Sequence, residues 1–301
     1  LHILLHFPKS MMPFSHELRA ALPSEFDPPS EQAGDRVDLF ASVSAVYAGH
    51  LRQRPQDWVW LDDPDTNRDW SMRDFIHLWK TASQGLEENS PAWYGQLRRL
   101  RRRMLLRIAY RDVCALAPMR QTLREQSALA EFVLGVVLDA VIKSWIQRLG
   151  EPWNEEADAP ARWCVLALGK LGGRELNFFS DLDLIFFFEG SGTCRKQGAA
   201  TQVSNEEFYA RAFREACGKL QEPSPYGPLY HIDLRLRPEG DSGPLVRRFS
   251  GLLHYYWTLG QTWERLAWIR ARPVAGDLSL GGELLEEMNA FRYPRSTSPK
   301  L

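Results

Sequence analysis

Two aspartates separated by one residue, Asp181 and Asp183, stand at the start of an apolar run that ends at Phe188. The run predicts a strand over residues 181–188, in which side chains alternate between the two faces. Both carboxylates are therefore expected on one face. Two carboxylates that close raise each other's pKa unless a cation lies between them. Mg²⁺ is the natural candidate, because it prefers hard oxygen ligands.

A third carboxylate, Asp233, lies in the segment 230–236, where polar and apolar residues alternate. The alternation predicts a strand with Asp233, Arg235 and Arg237 on one face. The two arginines are candidate phosphate ligands, or else charge partners that hold Asp233 in place. Together with Asp181 and Asp183, Asp233 would supply enough carboxylates for two Mg²⁺ ions about 4 Å apart, as in-line phosphoryl transfer often uses.

A pair of glycines, Gly172 and Gly173, follows a predicted buried strand and precedes the two aspartates. Glycines at such a turn let backbone N–H groups approach a triphosphate closely. The spacing matches neither the phosphate loop GxxxxGK[ST] nor the dinucleotide fingerprint GxGxxG. The sequence therefore indicates a phosphate-handling site of a different design.

Three strands and several helices are expected to position these residues. The apolar run 163–168 ends at a glycine and predicts the first strand. The other expected elements are a strand over 181–188, a loop over 190–200, a helix near 206–220, a strand over 230–236 and helices from 250 onward. The fold class that follows is α+β, a mostly helical chain with a small mixed β-sheet.

The chain divides into four predicted segments. Residues 1–35 are proline-rich and expected to be irregular, and residues 36–155 carry helical spacing of apolar side chains. The strongest helix spans 128–149, and Gly150 is placed to end it. A polar linker at 152–160 leads to the α+β core at 156–248. Helices at 249–301 are expected to pack on that core, and this last segment is expected to be truncated.

The composition excludes some functional classes. Lys and Arg number 37 against 38 Asp and Glu, which gives a formal net charge of -1. No overall positive field therefore favours nucleic acid or an anionic membrane. The four cysteines lack metal-ligand spacing and indicate reduced thiols of a cytoplasmic protein. No stretch resembles a membrane span or a signal peptide, and a first residue other than Met suggests a fragment of a longer protein.

The motifs together resemble a known enzyme family. Gly169, followed after eleven residues by Asp181 and Asp183, looks like the signature of the DNA polymerase β-like nucleotidyltransferases. More specific strings resemble the glutamine synthetase adenylyltransferase family in order and spacing. They are GKLGGREL at 169–176, SDLDLIF at 180–186, DLRLRPEG at 233–240, SGPLV at 242–246, TWER at 262–265 and IRARPVAGD at 269–277. The resemblance covers roughly residues 95–295.

This resemblance implies the N-terminal, adenylyl-removing half of the bifunctional enzyme. That half removes AMP from a modified tyrosine of glutamine synthetase by phosphorolysis, giving ADP and regulating nitrogen assimilation, whereas a second half adenylylates the enzyme from ATP. The resemblance implies that Asp181, Asp183 and Asp233 are catalytic and bind Mg²⁺, with Gly172 and Ser180 beside the phosphate. It also implies a PII signal protein as a regulatory partner.

Other interpretations stay open at this stage. The chain could be a polymerase β-like nucleotidyltransferase with a small-molecule or RNA acceptor, or an inactive regulatory module. An arginine-rich run at 98–103 invites a nucleic-acid function, but its apolar residues follow helical spacing. The favoured interpretation is that the arginines form the solvent-exposed face of a packed helix. An aromatic run at 255–257 is better explained as helical core than as an adenine-stacking wall.

Overall fold

A computed structural model describes residues 31–43, 45–54 and 56–294. The segment 1–35, predicted to be irregular, lies largely outside that range. Its last five residues are helical, because the first described helix already begins at Glu31. The helical region was predicted to start a few residues later than it does.

The N-terminal part of the described chain is entirely helical up to Leu149. Its helices are α1 (Glu31–Val43), α2 (Ala45–Gln53), α3 (Gln56–Asp62), α4 (Pro64–Asn67), α5 (Met72–Ala82), α6 (Pro91–Val113) and α7 (Met119–Leu149). Local chemistry sets several ends: the hydroxyl of Ser90 caps α6 by accepting the N–H of Trp93, and Pro91 occupies the first turn. Helix α7 ends at Gly150 as predicted, with a φ of 92°, but begins at Met119 rather than 128.

The α+β class is confirmed by the second part of the chain. Its strands are β1 (Trp153–Asn154), β2 (Ala159–Pro160), β3 (Trp163–Ala167), β4 (Leu182–Phe188), β5 (Thr193–Lys196), β6 (Ala199–Ser204), β7 (Ile232–Asp233), β8 (Val246–Arg248) and β9 (Arg272–Gly276). Its helices are α8 (Gly169–Gly172), α9 (Asn205–Gln221), α10 (Phe249–Thr258), α11 (Thr262–Trp268), α12 (Leu278–Glu287) and α13 (Asn289–Arg292).

The central sheet is mixed and has the strand order β7-β4-β3-β9, with β8 also paired to β4. Strands β3 and β4 run antiparallel, with Val165 opposite Phe186. Strand β4 runs parallel to both β7 and β8. Strand β4 therefore lies inside the sheet, and its side chains are buried on both faces, as its unbroken apolar run predicts.

Three predictions about strands are wrong. The segment 230–236 forms only the two-residue strand β7, because the chain turns from Arg235 onward. The segment 152–160 is not a plain linker but carries the small hairpin β1–β2. The loop predicted at 190–200 contains β5 and the start of β6, and β9 was not predicted at all.

Helices cover both faces of the sheet. On one face, Phe186 of β4 stacks on Phe213 of α9 with ring centroids 4.6 Å apart, and α7 packs beside them. On the other face, Leu166 and Ile185 share a buried cluster with residues of α10 to α13. The C-terminal helices thus pack on the core as predicted. The predicted boundary at 155/156 is not a break in packing, because one buried cluster joins α6, α7 and the sheet.

Among the described residues, no helix combines the length and the apolar character that crossing a membrane requires.

Candidate active site

Strands β4 and β7 place Asp183 and Asp233 side by side. The two residues are partners in the parallel register, so their side chains leave the same face of the sheet. Each strand is fixed at this point by backbone bonds: Leu168 N–H donates to the carbonyl of Asp183 at 2.9 Å, and Leu182 N–H donates to that of His231 at 2.9 Å. The predicted meeting of these two carboxylates is confirmed.

Asp181, the third predicted carboxylate, lies just before β4 and is exposed. Its carboxylate is close enough to repel that of Asp183, because Asp181 is one of the groups that raise the pKa of Asp183. The predicted strand was therefore one residue too long at its start. Asp181 borders the other two carboxylates from an exposed position just before the strand.

The two neighbouring carboxyl groups have pKa values shifted in opposite directions. Burial, followed by repulsion from Asp233 and Asp181, raises the pKa of the Asp183 carboxyl. In contrast, a side-chain hydrogen bond from Arg235 lowers the pKa of Asp233. Among the described residues, Asp233 thus forms an ion pair with a cationic side chain, whereas Asp183 forms none.

Arg235 and Arg237 do not share a strand face with Asp233. The N–H of Arg235 donates to Oδ1 of Asp233 at 2.9 Å, which turns the chain, and the Arg235 Nε lies 3.0 Å from both carboxylate oxygens. Arg235 is therefore a charge partner of Asp233, the alternative that the sequence left open. Arg237 folds back to donate to the Leu234 carbonyl at 2.8 Å, and its largely buried side chain leaves it poorly placed to bind phosphate.

The two predicted phosphate-binding glycines lie at the end of α8. The N–H groups of Gly172 and Gly173 donate to the carbonyls of Leu168 and Gly169, at 2.9 and 3.2 Å, and so close the turn of α8. Both backbone donors are therefore already bonded within the protein. A Cβ at Gly172 would collide with the backbone carbonyl oxygen of Arg270, so this glycine permits close packing of α8 against the segment before β9.

The glycine that faces the carboxylates is Gly169. It has a φ of +52°, and a Cβ at this position would overlap Oδ2 of Asp183. A side chain here would displace the catalytic candidate, which gives a physical reason for a glycine separated from the paired aspartates by eleven residues. The sequence contained this spacing but did not reveal the contact.

Ser180 lies beside a basic group that the sequence reasoning missed. The Nζ of Lys170 donates to Oγ of Ser180 at 3.3 Å and to Oδ1 of Asn177 at 3.2 Å. Lys170 also lowers the pKa of Asp183, which puts its charge near the carboxylates. A cation that is bonded only to neutral groups remains available to a phosphate. Lys170 is visible in the motif string, but nothing in that string separated it from a surface lysine.

A groove of about 860 Å³ is lined by Lys170 and Asn177, and the charge of Lys170 is near enough to Asp183 to lower its pKa. Its other basic residues are Arg120, Arg124, Arg174 and Arg270. Of these, Arg270 is bonded to Glu175 at 2.8 Å. The lining also includes the acid Asp112, but the basic residues outnumber the acids, and the excess of positive charge makes the groove attractive to a phosphate ester. Sequence reasoning missed it because α7, α8 and the segment before β9 meet there only in the folded chain.

Phe179 is a second residue that the sequence reasoning missed. Its side chain is 98% exposed, and its backbone is held at a φ of 61° two residues before Asp181. An exposed phenylalanine in the left-handed region is unfavourable both for solvation and for backbone energy. Such a residue at the edge of a site is suited to contact an incoming protein or base.

The donor set is chemically suited to a hard cation, because adjacent carboxylates favour one. In the part of the chain that the structure describes, however, no three His, Cys, Asp or Glu side chains are already arranged as a metal-binding group. Instead, Arg235 forms an ion pair with the carboxylate of Asp233. The acids fit a divalent cation provided that the Arg235 side chain rotates away, and this side chain is 75% exposed and so has room to move.

Comparison with known proteins gives consistent matches. A family model described as glutamate-ammonia ligase adenylyltransferase matches residues 41–287. The chain is 43% identical over 200 residues to the bifunctional glutamine synthetase adenylyltransferase/adenylyl-removing enzyme of Nitrosococcus oceani, covering 66% of this chain and 20% of that protein. The protein of the same name from Pseudomonas aeruginosa is 33% identical over 304 residues, covering 92% of this chain and 30% of the relative.

A third relative with this name, from Thioalkalivibrio sulfidiphilus, is 40% identical over 208 residues, covering 69% of this chain and 21% of that protein. The chain thus spans between a fifth and a third of the length of these curated relatives.

Proposed function

Because the chain belongs to the glutamate-ammonia ligase adenylyltransferase family, we propose that it is a nucleotidyltransferase that removes AMP from an adenylylated tyrosine of glutamine synthetase. The second substrate is inorganic phosphate, and the products are ADP and the free tyrosine. The family match supports the reaction class, and the printed names of the relatives include the adenylyl-removing activity. The direction assigned to this chain is our proposal.

The observation that carries the proposal is the register pairing of Asp183 with Asp233 beside the groove at Lys170. Two carboxylates on one face, next to positive charge, are suited to hold a divalent cation and the phosphates together. Among the described residues, no cationic side chain is bonded to Asp183, and the pKa of Asp183 is raised. An acid that served only in a structural ion pair would have a bonded cation and a lowered pKa instead.

In the proposed reaction, an oxygen of inorganic phosphate attacks the α-phosphorus of the adenylyl group. The bond between that phosphorus and the tyrosine oxygen breaks, the new P–O bond gives ADP, and the tyrosine oxygen takes up a proton. Lys170, Arg124 and Arg174 attract and orient the attacking phosphate. Phe179 contacts the protein substrate beside the modified tyrosine.

Asp181, Asp183 and Asp233 would hold Mg²⁺. When bound, this ion would neutralise the charge that develops on the transferred phosphoryl oxygens. Arg235 would release Asp233 and become a further positive group at the edge of the site. Its exposed side chain has room for that movement.

The proposed partners follow the same family assignment. They are glutamine synthetase as the protein substrate, phosphate and ADP at this site, ATP in the longer enzyme, and a PII signal protein as regulator. We also propose a cytoplasmic location. All four cysteines are buried thiols without a disulfide between them, as suits a reducing compartment.

The experiment is to incubate adenylylated glutamine synthetase with the 301-residue chain, Mg²⁺ and phosphate, and to separate the released nucleotides. ADP that depends on phosphate is the expected product, and it should fall at least ~100-fold in Asp183→Asn and Asp233→Asn. Asp241→Asn, an exposed acid outside the predicted triad, serves as the matched control.

Release of AMP without phosphate would indicate hydrolysis. Incorporation of AMP from ATP into unmodified glutamine synthetase would indicate the opposite direction. An Asp183→Asn protein that still makes ADP at the wild-type rate would exclude the carboxylate site.

A further inference from the structure

The arginine-rich run on α6 is divided between two sides of the helix. On the inner side, Arg98 is buried and bonded to Glu222 at 2.7 Å. Further along, Arg107 and Arg111 are buried and pair with Glu125 at 3.0 and 2.9 Å. These arginines are structural, because their charges are neutralised inside the protein.

The outer side of the same run lines a cavity of about 480 Å³. Arg99, Arg102 and Arg103 come from α6, and Arg54 follows α2. An apolar wall is formed by Leu78, Ala82, Leu100 and Met104, and the remaining lining includes His50, Asp57, Pro225 and Tyr226. This cavity shares no lining residue with the groove beside Lys170.

Among the described lining residues of this cavity, the one carboxylate already has partners. Asp57 lies 2.8 Å from His50 Nε2 and 3.4 Å from Arg103 Nε, and its side chain is buried. With four guanidinium groups against this single acid, the cavity carries an excess of about three positive charges, since arginine stays protonated.

The other three arginines have no acidic partner in the part of the chain that the structure describes. There, Arg99 donates to the neutral side chain of Gln96, at 3.0 and 2.6 Å. Within residues 31–43, 45–54 and 56–294, no carboxylate lies at ion-pair distance from Arg54, Arg99 or Arg102. The guanidinium carbons of Arg99 and Arg102 each lie 6.0 Å from the centroid of the Tyr226 ring, so both charges border the same part of the cavity. Neighbouring like charges repel each other, and an anion bound between them would offset that repulsion.

We propose that this cavity binds a small polyanion with two or more neighbouring phosphate or carboxylate groups. Planar guanidinium groups bind such oxygens in pairs, and the volume is that of a small-molecule site. A nucleic acid would need an extended positive stripe. The run does not provide one, because its inner arginines are buried and only one side of the helix faces the cavity.

The test is isothermal titration of the 301-residue chain at low salt with tripolyphosphate and, separately, with citrate. At least one probe should bind, and the Arg99→Gln/Arg102→Gln double variant should weaken that binding by at least ~10-fold. Tighter binding of tripolyphosphate assigns a phosphate chain, and tighter binding of citrate assigns a polycarboxylate. Both results support the proposal.

Matched variants separate this cavity from other effects. Arg73→Gln/Arg214→Gln removes the same charge from exposed positions on α5 and α9 and should leave binding unchanged. Lys170→Gln/Arg174→Gln removes charge from the other groove and should leave this site intact. Arg99→Lys/Arg102→Lys keeps the charge and should bind within a few-fold of wild type, and circular dichroism checks that all variants fold.

The proposal is overturned if neither probe binds, or if the wild type and Arg99→Gln/Arg102→Gln bind both equally. Binding lost only in Lys170→Gln/Arg174→Gln would assign the anion to the other groove. A single-stranded oligonucleotide that binds through Arg99 and Arg102 when neither small anion does would replace the proposal with nucleic-acid recognition.

Discussion

Asp183 and Asp233 are register partners on the parallel strands β4 and β7, so their carboxylates lie on one face of the sheet. The pairing depends on a strand only two residues long. Two further contacts support it: the backbone bond from Leu182 N–H to the His231 carbonyl, and the turn that Asp233 makes with Arg235. The geometry of the proposed metal site is thus built from local contacts at the end of a sheet.

Replacing Asp183 by Asn should stabilise the cation-free protein at neutral pH. Burial and two neighbouring carboxylates raise the pKa of Asp183 above its value of 3.8 in the unfolded chain. The native state therefore binds the proton more tightly, and stability falls as the pH rises through the raised pKa. We expect Tm to rise by about 2 °C at pH 7.5, the change that ~1 kcal/mol produces in a large domain.

The gain from Asp183→Asn should shrink as the pH is lowered through the raised pKa of Asp183, because the wild-type carboxyl then becomes neutral. Thermal unfolding followed by circular dichroism in a chelating buffer measures it. Asp241→Asn, which changes an exposed acid, should show no such pH-dependent gain. A lower Tm for Asp183→Asn at pH 7.5 would contradict the inferred repulsion.

Phe179→Ala should leave stability unchanged and weaken substrate recognition. The side chain is 98% exposed, so its removal costs within about 0.5 kcal/mol. Alanine keeps the strained φ, and the comparison therefore isolates the ring. We expect KM for adenylylated glutamine synthetase to rise at least ~5-fold, with kcat less affected, because aromatic contacts contribute strongly at interfaces.

Steady-state release of nucleotide is the measurement for Phe179→Ala. Leu278→Ala, at a residue 56% exposed on the first turn of α12, is the control and should match wild type. An unchanged KM in Phe179→Ala would mean that this phenylalanine does not contact the protein substrate.

Gly169→Ala should damage the site more than an equally strained substitution elsewhere. The new Cβ would overlap Oδ2 of Asp183 and push the carboxylate out of position. Gly198→Ala is the matched control, since Gly198 also has a positive φ, of +80°, but open space around it. Both variants pay the backbone cost of about 1–2 kcal/mol. Only Gly169→Ala should lose nucleotide release, by ~10-fold or more, and equal activities in the two variants would argue against the contact.

Glu125→Gln should destabilise the helical region strongly. Glu125 lies between Arg107 and Arg111, and all three side chains are no more than 4% exposed. It also accepts the Trp70 N–H at 2.6 Å. Removing the charge leaves buried Arg107 without its carboxylate partner, and Arg111 then pairs only with the exposed Asp69 among the described residues. We therefore expect a loss of about 3 kcal/mol in the free energy of unfolding.

Chemical denaturation measures the effect of Glu125→Gln. The control is Glu88→Gln, which breaks the exposed pair with Lys143 and should cost less than about 1 kcal/mol. Similar small losses in both variants would show that the buried arginines find other partners.

The elements that the sequence predicted well are those with a strong local signal. Strands β3 and β4 read as unbroken apolar runs because helices bury both of their faces. The end of α7 at Gly150 was predicted because the glycine adopts a positive φ there.

The elements that were missed depend on partners far away in the chain. Strand β9 contains a proline and joins the sheet only by pairing with β3, more than a hundred residues earlier. The alternating pattern of 230–236 was overruled by a local contact, because the Asp233 carboxylate accepts the Arg235 N–H and turns the chain.

The same distinction applies to the candidate site. The identities of Asp181, Asp183 and Asp233 were visible as motif residues, and the meeting of Asp183 with Asp233 was predictable once they were assigned to neighbouring strands. The functions of Gly169 and Lys170 were not visible, because each depends on which side chain lies opposite. Gly172 was assigned to phosphate, but the carbonyl of Arg270 that packs on it comes from a distant segment.

The most direct test of the account is a Mg²⁺ titration, followed by calorimetry, of the wild-type chain and of Asp183→Asn, Asp233→Asn and Asp241→Asn. We predict saturable binding to the wild type and to Asp241→Asn, and at least ~10-fold weaker binding to the other two variants. If Asp183→Asn and Asp233→Asn bind Mg²⁺ as tightly as the wild type, the two register partners do not form a cation site and the proposed mechanism is wrong.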